Sequence, residues 1–321
     1  MSFNSEIKEE LLSIEIENDC CMLAQICACI NTIGSLEINK QGISFSVLTE
    51  NVGVLTELQK SIKTLYANKI DLENSETKII GKHTFFELSI PKPVGNMILK
   101  DCGVLQLDET NNYTVKTGID HHVVMSDCCK KTYIRTVFLT SGIISIPSGD
   151  ESDAQKNGGY HFEIEFTNNE QAKSVASLLG EFGFIVRKVD RQSKTVVYMK
   201  ESETIADFLG FIGATKSFLK LQDKIVERDM RNNINRQSNC ISANINKAIK
   251  ASLVQLQAIE LIDSTIGIDS LPDNIKKYAV LRRENPDASL QELIELSNEK
   301  ISKAGMNYKL RKIVEISKNL E

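Results

Sequence analysis

Hydrophobic and polar positions follow the same order twice within the first two-thirds of the chain. Each copy opens with Asp-Cys-Cys, at residues 19–21 and again at 127–129, and continues in helical spacing to Gly34 or Gly142. The two openings and the two glycines are each 108 positions apart. After each glycine the chain alternates as strands, returns to helical spacing, and alternates again. This pattern predicts two copies of one structural unit.

Each copy is predicted to fold as α-β-β-α-β-β-α. We expect Asp19 to cap the first repeated helix and Gly34 to end it, because carboxylates accept helix-start amides and glycine ends helices readily. The predicted helices are one within 1–17 and those at 19–33, 52–66, 94–101, 127–141, 170–182 and 203–212. The predicted strands are 36–39, 43–48, 69–72, 78–80, 84–90, 143–146, 160–166, 185–190 and 195–200.

From about Thr215 onward the strand signals stop, and the spacing is helical to the end of the chain. An Arg/Asn-rich segment at 231–239 separates two longer helical patterns. Ser289 and Glu292 form a capping-box pattern. The predicted helices are 216–230, 243–262, 275–283, one after Ser289, and a last one starting at Ser302 or Ala304. The predicted domains are a two-repeat α+β domain at 1–215, an Arg/Asn-rich helical linker at 216–270 and an all-α domain at 271–321.

The composition is that of a globular protein with sizeable cores: 321 residues, 41% hydrophobic and 25% charged. No apolar run reaches the roughly 20 residues that a membrane-spanning helix needs. The acidic, polar start MSFNSEIKEELL is unlike a signal peptide. We therefore expect a cytoplasmic protein without membrane contact, in which the eight cysteines are reduced. No phosphate-binding glycine loop or nucleophile elbow is found, so no cofactor is predicted.

Charge is divided unevenly along the chain. Residues 216–321 hold 18 Lys and Arg against 14 Asp and Glu, whereas residues 1–215 hold 20 against 29. The net charge of the whole chain is −5. The asymmetry suggests that the C-terminal third meets a polyanion and that the N-terminal part does not. Two ordinary surfaces that happen to differ are the alternative.

Small residues are expected where the two repeated helices pack together. Ala24 and Ala28 lie one helical turn apart, and their counterparts 108 positions later are Thr132 and Thr136. Such residues allow the two backbones to approach closely. Two unrelated amphipathic helices are the alternative.

The repeated unit resembles the LAGLIDADG homing endonuclease fold, in its single-chain form with two pseudo-symmetric halves. The segment ICACINTIGS and the segment around Gly142 stand where the signature of that family would be. The resemblance implies a metal-binding acid just before each glycine, yet these positions hold Ile33 and Ser141. Phosphodiester cleavage by this geometry needs carboxylates that hold a divalent cation. We therefore predict a domain without nuclease chemistry.

A short helix, a turn and a longer basic helix at the C-terminus are typical of a helix-turn-helix motif. The N-terminal half of the last helix would enter the major groove, where Asn, Lys and Arg bond base edges or phosphates. A solvated face in a plain three-helix bundle is the alternative. The predicted DNA-binding residues of this helix are Lys303, Asn307, Tyr308, Lys309, Arg311 and Lys312.

The whole order of segments resembles the WhiA family of bacterial regulators. The resemblance covers nearly the whole chain and is most specific in RNNINRQSNCISANINKAIKAS, LRRENPDASLQELIEL and ISKAGMNYKLR. It implies a non-enzymatic, sequence-specific protein of the nucleoid that binds double-stranded DNA at promoter regions. The family is tied to sporulation, or to cell division and chromosome segregation. Arg231 and Arg236 of the linker would add contacts to the DNA backbone.

The acidic N-terminal domain is expected to bind a protein partner rather than DNA, because its negative charge repels phosphate. Two other functions stay open at this point. One is a division-associated scaffold whose DNA contact is incidental. The other is a metal-dependent endonuclease that uses acids not recognised in the sequence.

The paired cysteines raise a metal hypothesis. If the two repeated helices run in parallel, their N-termini share one end, and four thiols could meet there as a zinc site. Adjacent cysteines lack the two-residue spacing usual for zinc ligands, and buried reduced cysteines behave as small apolar residues. We therefore predict no metal at Cys20, Cys21, Cys128 and Cys129. No catalytic role is predicted for His83, His121, His122 and His161.

Overall fold

The computed structural model describes residues 2–39, 42–66, 75–80, 83–107, 113–147 and 159–320. The chain divides into two compact units, Met1–Val226 and Glu227–Glu321. The division falls inside one long helix, so it coincides with neither of the domain limits expected near residues 215 and 270. Those three predicted domains stay a prediction. None of the helices in the described ranges is both long and apolar enough to cross a membrane.

The first repeat follows a short N-terminal helix, and its elements occur in the predicted order. The predicted strand at 69–72 lies outside the described residues. The elements are α1 (Phe3–Leu12), α2 (Asp19–Ile33), β1 (Gly34–Asn39), β2 (Gly42–Thr49), α3 (Val52–Tyr66), β3 (Ser75–Ile80), β4 (His83–Ile90) and α4 (Lys92–Asp101).

A connection that the sequence did not predict joins the two repeats. It contains a two-stranded ribbon of β5 (Leu105–Leu107) and β6 (Tyr113–Val115), followed by a 3₁₀ turn at His121–Val124. The second repeat then consists of α5 (Asp127–Ser141), β7 (Gly142–Ser145), β8 (His161–Phe166), α6 (Asn169–Glu181), β9 (Arg187–Arg191), β10 (Lys194–Met199) and α7 (Ser202–Ile212).

The two sheets have the same topology. The first has the strand order β1-β2-β4-β3 and the second β7-β8-β10-β9, with antiparallel neighbours throughout. In both, the glycine after the first repeated helix pairs with the second strand: Gly34 lies opposite Val47, and Gly142 lies opposite Ile164. The predicted two-fold repeat and the α+β fold class are therefore confirmed.

Helices α2 and α5 pack along each other in this unit. Ala24, Ala28, Thr132 and Thr136, the small residues expected at the contact, are all buried. The cap of α2 differs from the prediction, because Asn18 occupies the N-cap position and Asp19 is the first helical residue. Asp19 is still at the end where a carboxylate stabilises the helix dipole.

The two repeated glycines are required by space rather than by a left-handed backbone. Gly34 has an extended conformation with φ −85°. A Cβ atom there would touch the Ile30 carbonyl oxygen and lie 2.8 Å from its Cα. A Cβ at Gly142 would lie 2.7 Å from the carbonyl oxygen of Phe138 and touch its ring. In both repeats, therefore, the chain turns from helix to strand against its own last helical turn.

The long helix α8 (Thr215–Thr265) begins in the first unit and continues into the second. At its start, the carboxylate of Glu10 accepts the backbone N–H groups of Lys216 and Ser217 at 2.6 and 2.9 Å. The predicted separation of two helices by the Arg/Asn-rich segment is wrong, because this segment is helical throughout. Residues 232–251 of α8 are all exposed.

The second unit ends in three helices, α9 (Asp273–Glu284), α10 (Leu290–Leu296) and α11 (Lys303–Lys318). The predicted capping box is confirmed, with the Ser289 hydroxyl accepting the Glu292 N–H and the Glu292 carboxylate accepting the Ser289 N–H. One apolar core holds these helices against the end of α8. Its buried members are Ala258, Ile259, Ile262, Ile268, Leu271, Ile275, Tyr278, Ala279, Leu293, Met306, Leu310 and Ile313.

Candidate nucleic-acid interface

The positions just before the repeated glycines are the last residues of α2 and α5. Ile33 is half-buried and offers no ligand atom. The Ser141 hydroxyl donates to the carbonyl oxygen of Val137 at 3.2 Å. Neither side chain is a carboxylate, so this pair of helix ends lacks the groups that hold a divalent cation at a scissile phosphate. Acids elsewhere in the described ranges do not gather in groups of three.

The turn between α10 and α11 is defined by a left-handed residue and a helix cap. Asn298 follows the α10 cap residue Ser297 with φ +52°, in the left-handed region where Asn is among the few tolerated side chains. Ser302 then caps α11, its hydroxyl accepting the Gly305 N–H at 3.1 Å. Leu293 and Met306 are fully buried between the helices. This turn fixes α11 against α10 and leaves one face of α11 exposed.

The exposed face of α11 is basic. Lys303, Tyr308 and Arg311 are exposed, whereas Asn307 and Lys309 are half-buried at its flanks. The side chain of Tyr308 is 62% exposed, so its ring does not belong to the apolar core. Lys312, the sixth predicted residue, is half-buried and pairs with Glu315 at 3.1 Å. None of the six predicted residues is buried, and three of them are exposed.

The two linker arginines lie on α8. Arg231 is half-buried by its helical neighbours, and its guanidinium pairs with Glu227 at 3.0 Å, one turn earlier. Arg236 is exposed. Because α8 is continuous, both side chains project from a helix rather than from an irregular segment.

Arg282 is a structural cation that sequence reasoning did not single out. Its side chain is 3% exposed, and its Nη1 donates to the carbonyl oxygen of Ala288 at 2.7 Å. The same nitrogen lies 3.4 Å from the Pro286 carbonyl oxygen and 3.5 Å from the Ser252 hydroxyl of α8. Burial lowers the pKa of Arg282. In the sequence this residue is one of several basic residues of α9, and nothing in its spacing marks it as buried.

Four thiols meet at the N-terminal ends of α2 and α5. The sulfur atoms of Cys20, Cys21, Cys128 and Cys129 all lie within 4.8 Å of one another. Hydrogen bonds from the Ser126 hydroxyl and from Cys21 lower the pKa of the Cys128 thiol, whereas burial raises the pKa of Cys21. The fold thus meets the condition stated from the repeat, that helix N-termini sharing one end would bring the four thiols together.

Three of the histidines each pair with one carboxylate. His83 lies 3.0 Å from Glu50, and His161 lies 3.0 Å from Glu163. The third, His122, lies 2.8 Å from Asp120, and the other nitrogen of its ring faces the carbonyl oxygen of Asp101 at 2.6 Å. These contacts tie loops and strands together.

The fold defines a class of protein with a two-repeat LAGLIDADG-like domain joined to a helix-turn-helix domain. The chain belongs to the WhiA family. Models of the WhiA N-terminal LAGLIDADG-like domain, the WhiA LAGLIDADG-like domain and the WhiA C-terminal HTH domain match residues 19–105, 130–231 and 234–317. The resemblance inferred from the sequence is confirmed.

Relatives match this chain over its full length. A protein of Oceanobacillus iheyensis named "Probable cell division protein WhiA" is 37% identical over 100% of this chain and 98% of its own. A protein of Bacillus licheniformis with the same name is 35% identical over 100% of this chain and 97% of its own. The crystal structure of full-length DUF199/WhiA from "Thermatoga maritima" has a TM-score of 0.57 at 20% identity, covering 99% of both chains. At that identity the structural likeness concerns the fold alone.

Proposed function

We propose that the protein is a non-enzymatic, sequence-specific DNA-binding regulator of transcription. It acts at promoter regions of the nucleoid, in connection with cell division or sporulation. The observation that carries this proposal is the exposed basic face of α11, which follows a capped short helix and a tight turn. The relatives whose names read "cell division protein" support the process in which it acts.

Within α11 the six residues divide by chemistry. Asn307, in the N-terminal half, can bond the edge of an adenine in the major groove. Lys303 and Arg311 are about two helical turns apart, and both can bond phosphate or guanine. Tyr308 offers a hydroxyl to phosphate, and Lys309 and Lys312 add positive charge at the flanks. Arg231 and Arg236 of α8 would add contacts to the DNA backbone.

For the two-repeat domain we propose a protein partner instead of a DNA groove. The surface beside its first sheet carries three acids, Glu37, Glu76 and Glu87, among serines, against two cations, Lys78 and Lys92, of which Lys78 pairs with Glu87. A surface of this kind repels phosphate. The residues Ile33 and Ser141 leave the former metal position without carboxylates, which supports a domain without nuclease activity.

Binding-site selection from a random duplex library with the full-length protein tests the DNA-reading role. We expect one preferred sequence, and we expect Asn307→Ala to relax preference at one or two base pairs by about 1–3 kcal/mol. Lys303→Ala should weaken binding to all sequences and reduce the salt slope by about one. Lys318→Ala is the matched control, because it removes an exposed positive charge from the last turn of the same helix. Equal binding by all three variants would contradict the proposal.

A nicking assay separates this function from the nuclease alternative. Supercoiled plasmid that contains the selected site should stay intact with the protein in Mg²⁺ or Mn²⁺. Cleavage that requires the metal ion, and that continues at other sites of the plasmid when Asn307 is replaced by alanine, would instead indicate an active nuclease. A scaffold with incidental DNA contact would give no enriched sequence at physiological salt.

A further inference from the structure

The cysteine cluster, defined as Cys20, Cys21, Cys128 and Cys129, has no part in the proposed DNA-binding function. Each repeat contributes one adjacent pair from the first turn of its first helix, and the four sulfur atoms lie within 4.8 Å of one another. Within the part of the chain that the structure describes, this is the one group of three or more possible ligands that could surround a single ion.

The distances fit a tetrahedral metal site. Four thiolates at about 2.3 Å from Zn²⁺ place their sulfurs about 3.8 Å apart. Cys128 Sγ and Cys129 Sγ are 4.0 Å apart, and the largest separation in the cluster is below 4.8 Å. The separations therefore exceed the tetrahedral value by at most about 1 Å. A tetrahedral set of four sulfur ligands suits zinc better than the oxygen-seeking cations.

Disulfides within each pair do not fit. Adjacent Cα atoms across a trans peptide are about 3.8 Å apart, which is less than the roughly 4.4 Å that a disulfide normally requires. The described part of the chain has no cis peptide bond. A disulfide between cysteines of different repeats is the remaining oxidised form, and the mass of the intact protein distinguishes it from a zinc site.

The surroundings of the cluster are partly polar and partly open to solvent. Both pairs lie at helix N-termini, where the backbone N–H groups and the dipole stabilise negative charge. The Ser126 hydroxyl lies 3.3 Å from Cys128 Sγ and 3.0 Å from Cys129 Sγ and can donate to sulfur. Cys21 and Cys129 are buried, whereas Cys20 and Cys128 are exposed. An ion could therefore enter from solvent and be held partly inside.

We propose that the cysteine cluster binds one Zn²⁺ ion as four thiolates and that this ion fastens the two repeats together. Binding releases the thiol protons to solvent. The ion lies at the opposite end of α2 and α5 from Ile33 and Ser141. A 15-residue helix spans about 22 Å, so the proposed zinc site is far from the positions of Ile33 and Ser141. Its role is to stabilise the fold. The proposal does not depend on DNA binding.

Metal analysis of the full-length protein, expressed with zinc in the medium and purified without affinity metals, tests this proposal. We expect one zinc per chain in the wild type and in Cys240→Ser, an exposed cysteine of α8 that serves as the control. The double variant Cys20→Ser/Cys128→Ser should lose the zinc and, because both positions are exposed, keep the wild-type circular dichroism spectrum. Replacement by Co²⁺ should give the visible absorption bands of tetrahedral thiolate coordination in the wild type. The double variant should lack these bands.

Thermal unfolding adds a second readout. Removal of the metal with a mercurial reagent and a chelator should lower the unfolding temperature of the wild type to that of the double variant, and zinc should restore it. Substoichiometric metal with four rapidly reacting thiols would overturn the proposal. So would an intact mass lower by two or four hydrogens, which would identify disulfides between the repeats.

Discussion

The side-chain amide of Asn31 donates a hydrogen bond to the hydroxyl of Tyr133 at 2.9 Å, and this bond joins the central helices of the two repeats. Both residues are buried, with Tyr133 only 1% exposed. The same amide lies 3.3 Å from the carbonyl oxygen of Gly118, and Gln171 approaches the Asn31 oxygen at 3.4 Å. One polar network therefore links α2, α5, α6 and the connection between the repeats.

Tyr133→Phe should destabilise the N-terminal unit by about 1–2 kcal/mol, because the buried Asn31 amide loses its shortest partner. Urea unfolding followed by circular dichroism measures this change. Tyr113→Phe is the control, because its hydroxyl belongs to a side chain that is 53% exposed and should leave stability unchanged. Equal stability of the two variants would mean that the bond contributes nothing.

Gly34→Ala should lower the free energy of unfolding by about 1–3 kcal/mol, because the added Cβ overlaps the backbone of Ile30 and the turn from helix to strand must shift. Gly180→Ala in α6 should do the opposite. No atom lies within 4 Å of a Cβ built there, and alanine is favoured over glycine in a helix by about 0.5–1 kcal/mol. The two variants, compared by urea unfolding, should therefore change stability in opposite directions.

Arg282→Met should destabilise the C-terminal unit by about 2–3 kcal/mol, because the half-buried carbonyl oxygen of Ala288 and its neighbours lose a charged donor. Hydrogen exchange should show the loss in α9 and α10 first. Arg283→Met removes the neighbouring charge, whose exposed pair with Asp263 at 3.2 Å contributes less than about 1 kcal/mol. Protection that falls equally in both variants would contradict a specific role for Arg282.

The stability contributed by His122 should depend on pH. Hydrogen bonds to the Asp101 carbonyl oxygen and the Asp120 carboxylate raise the pKa of His122, and the bond from His122 holds the pKa of Asp120 at about 2. A histidine whose pKa is raised on folding contributes its full stabilisation below the pKa of the unfolded chain, about 6.5. This contribution is lost as pH rises through the pKa of the folded state.

His122→Ala should therefore lose more stability at about pH 6 than at about pH 8.5. Paired urea titrations of the variant and the wild type at both values measure the difference. His121→Ala, which removes an imidazole from the exposed neighbouring position, is the matched control. A loss that is the same at both pH values would mean that the imidazolium form is not what the fold stabilises.

Long amphipathic patterns were the most predictable part of the fold. Helix α3 begins and ends at the predicted residues, because its apolar positions recur at helical spacing and all face one core. The α2–α5 pair followed from the 108-residue repeat, since two copies of one unit must bury equivalent faces. The ribbon β5–β6 escaped prediction because its three-residue strands are too short to show a period.

One other error had its origin in tertiary structure. The Arg/Asn-rich part of α8 has little apolar patterning and was assigned as a break, yet it is held as a helix between ordered ends, with Arg231 paired to Glu227 one turn away. The meeting of the four thiols followed from the repeat, whereas the prediction of no metal there rested on the spacing of adjacent cysteines and stays a prediction. Neither Asn298 nor Arg282 carries a signal in one sequence, because turn conformation and burial depend on the packed neighbours.

The central claim is that α11 reads DNA sequence while the two-repeat domain does not cut it. The most direct measurement maps chromosomal occupancy of the wild type, the double variant Asn307→Ala/Arg311→Ala and the control Lys318→Ala in the encoding organism at matched protein levels. We predict discrete promoter peaks with one shared sequence motif for the wild type and the control, and loss of those peaks in the double variant. Retention of the same peaks by the double variant would contradict the claim.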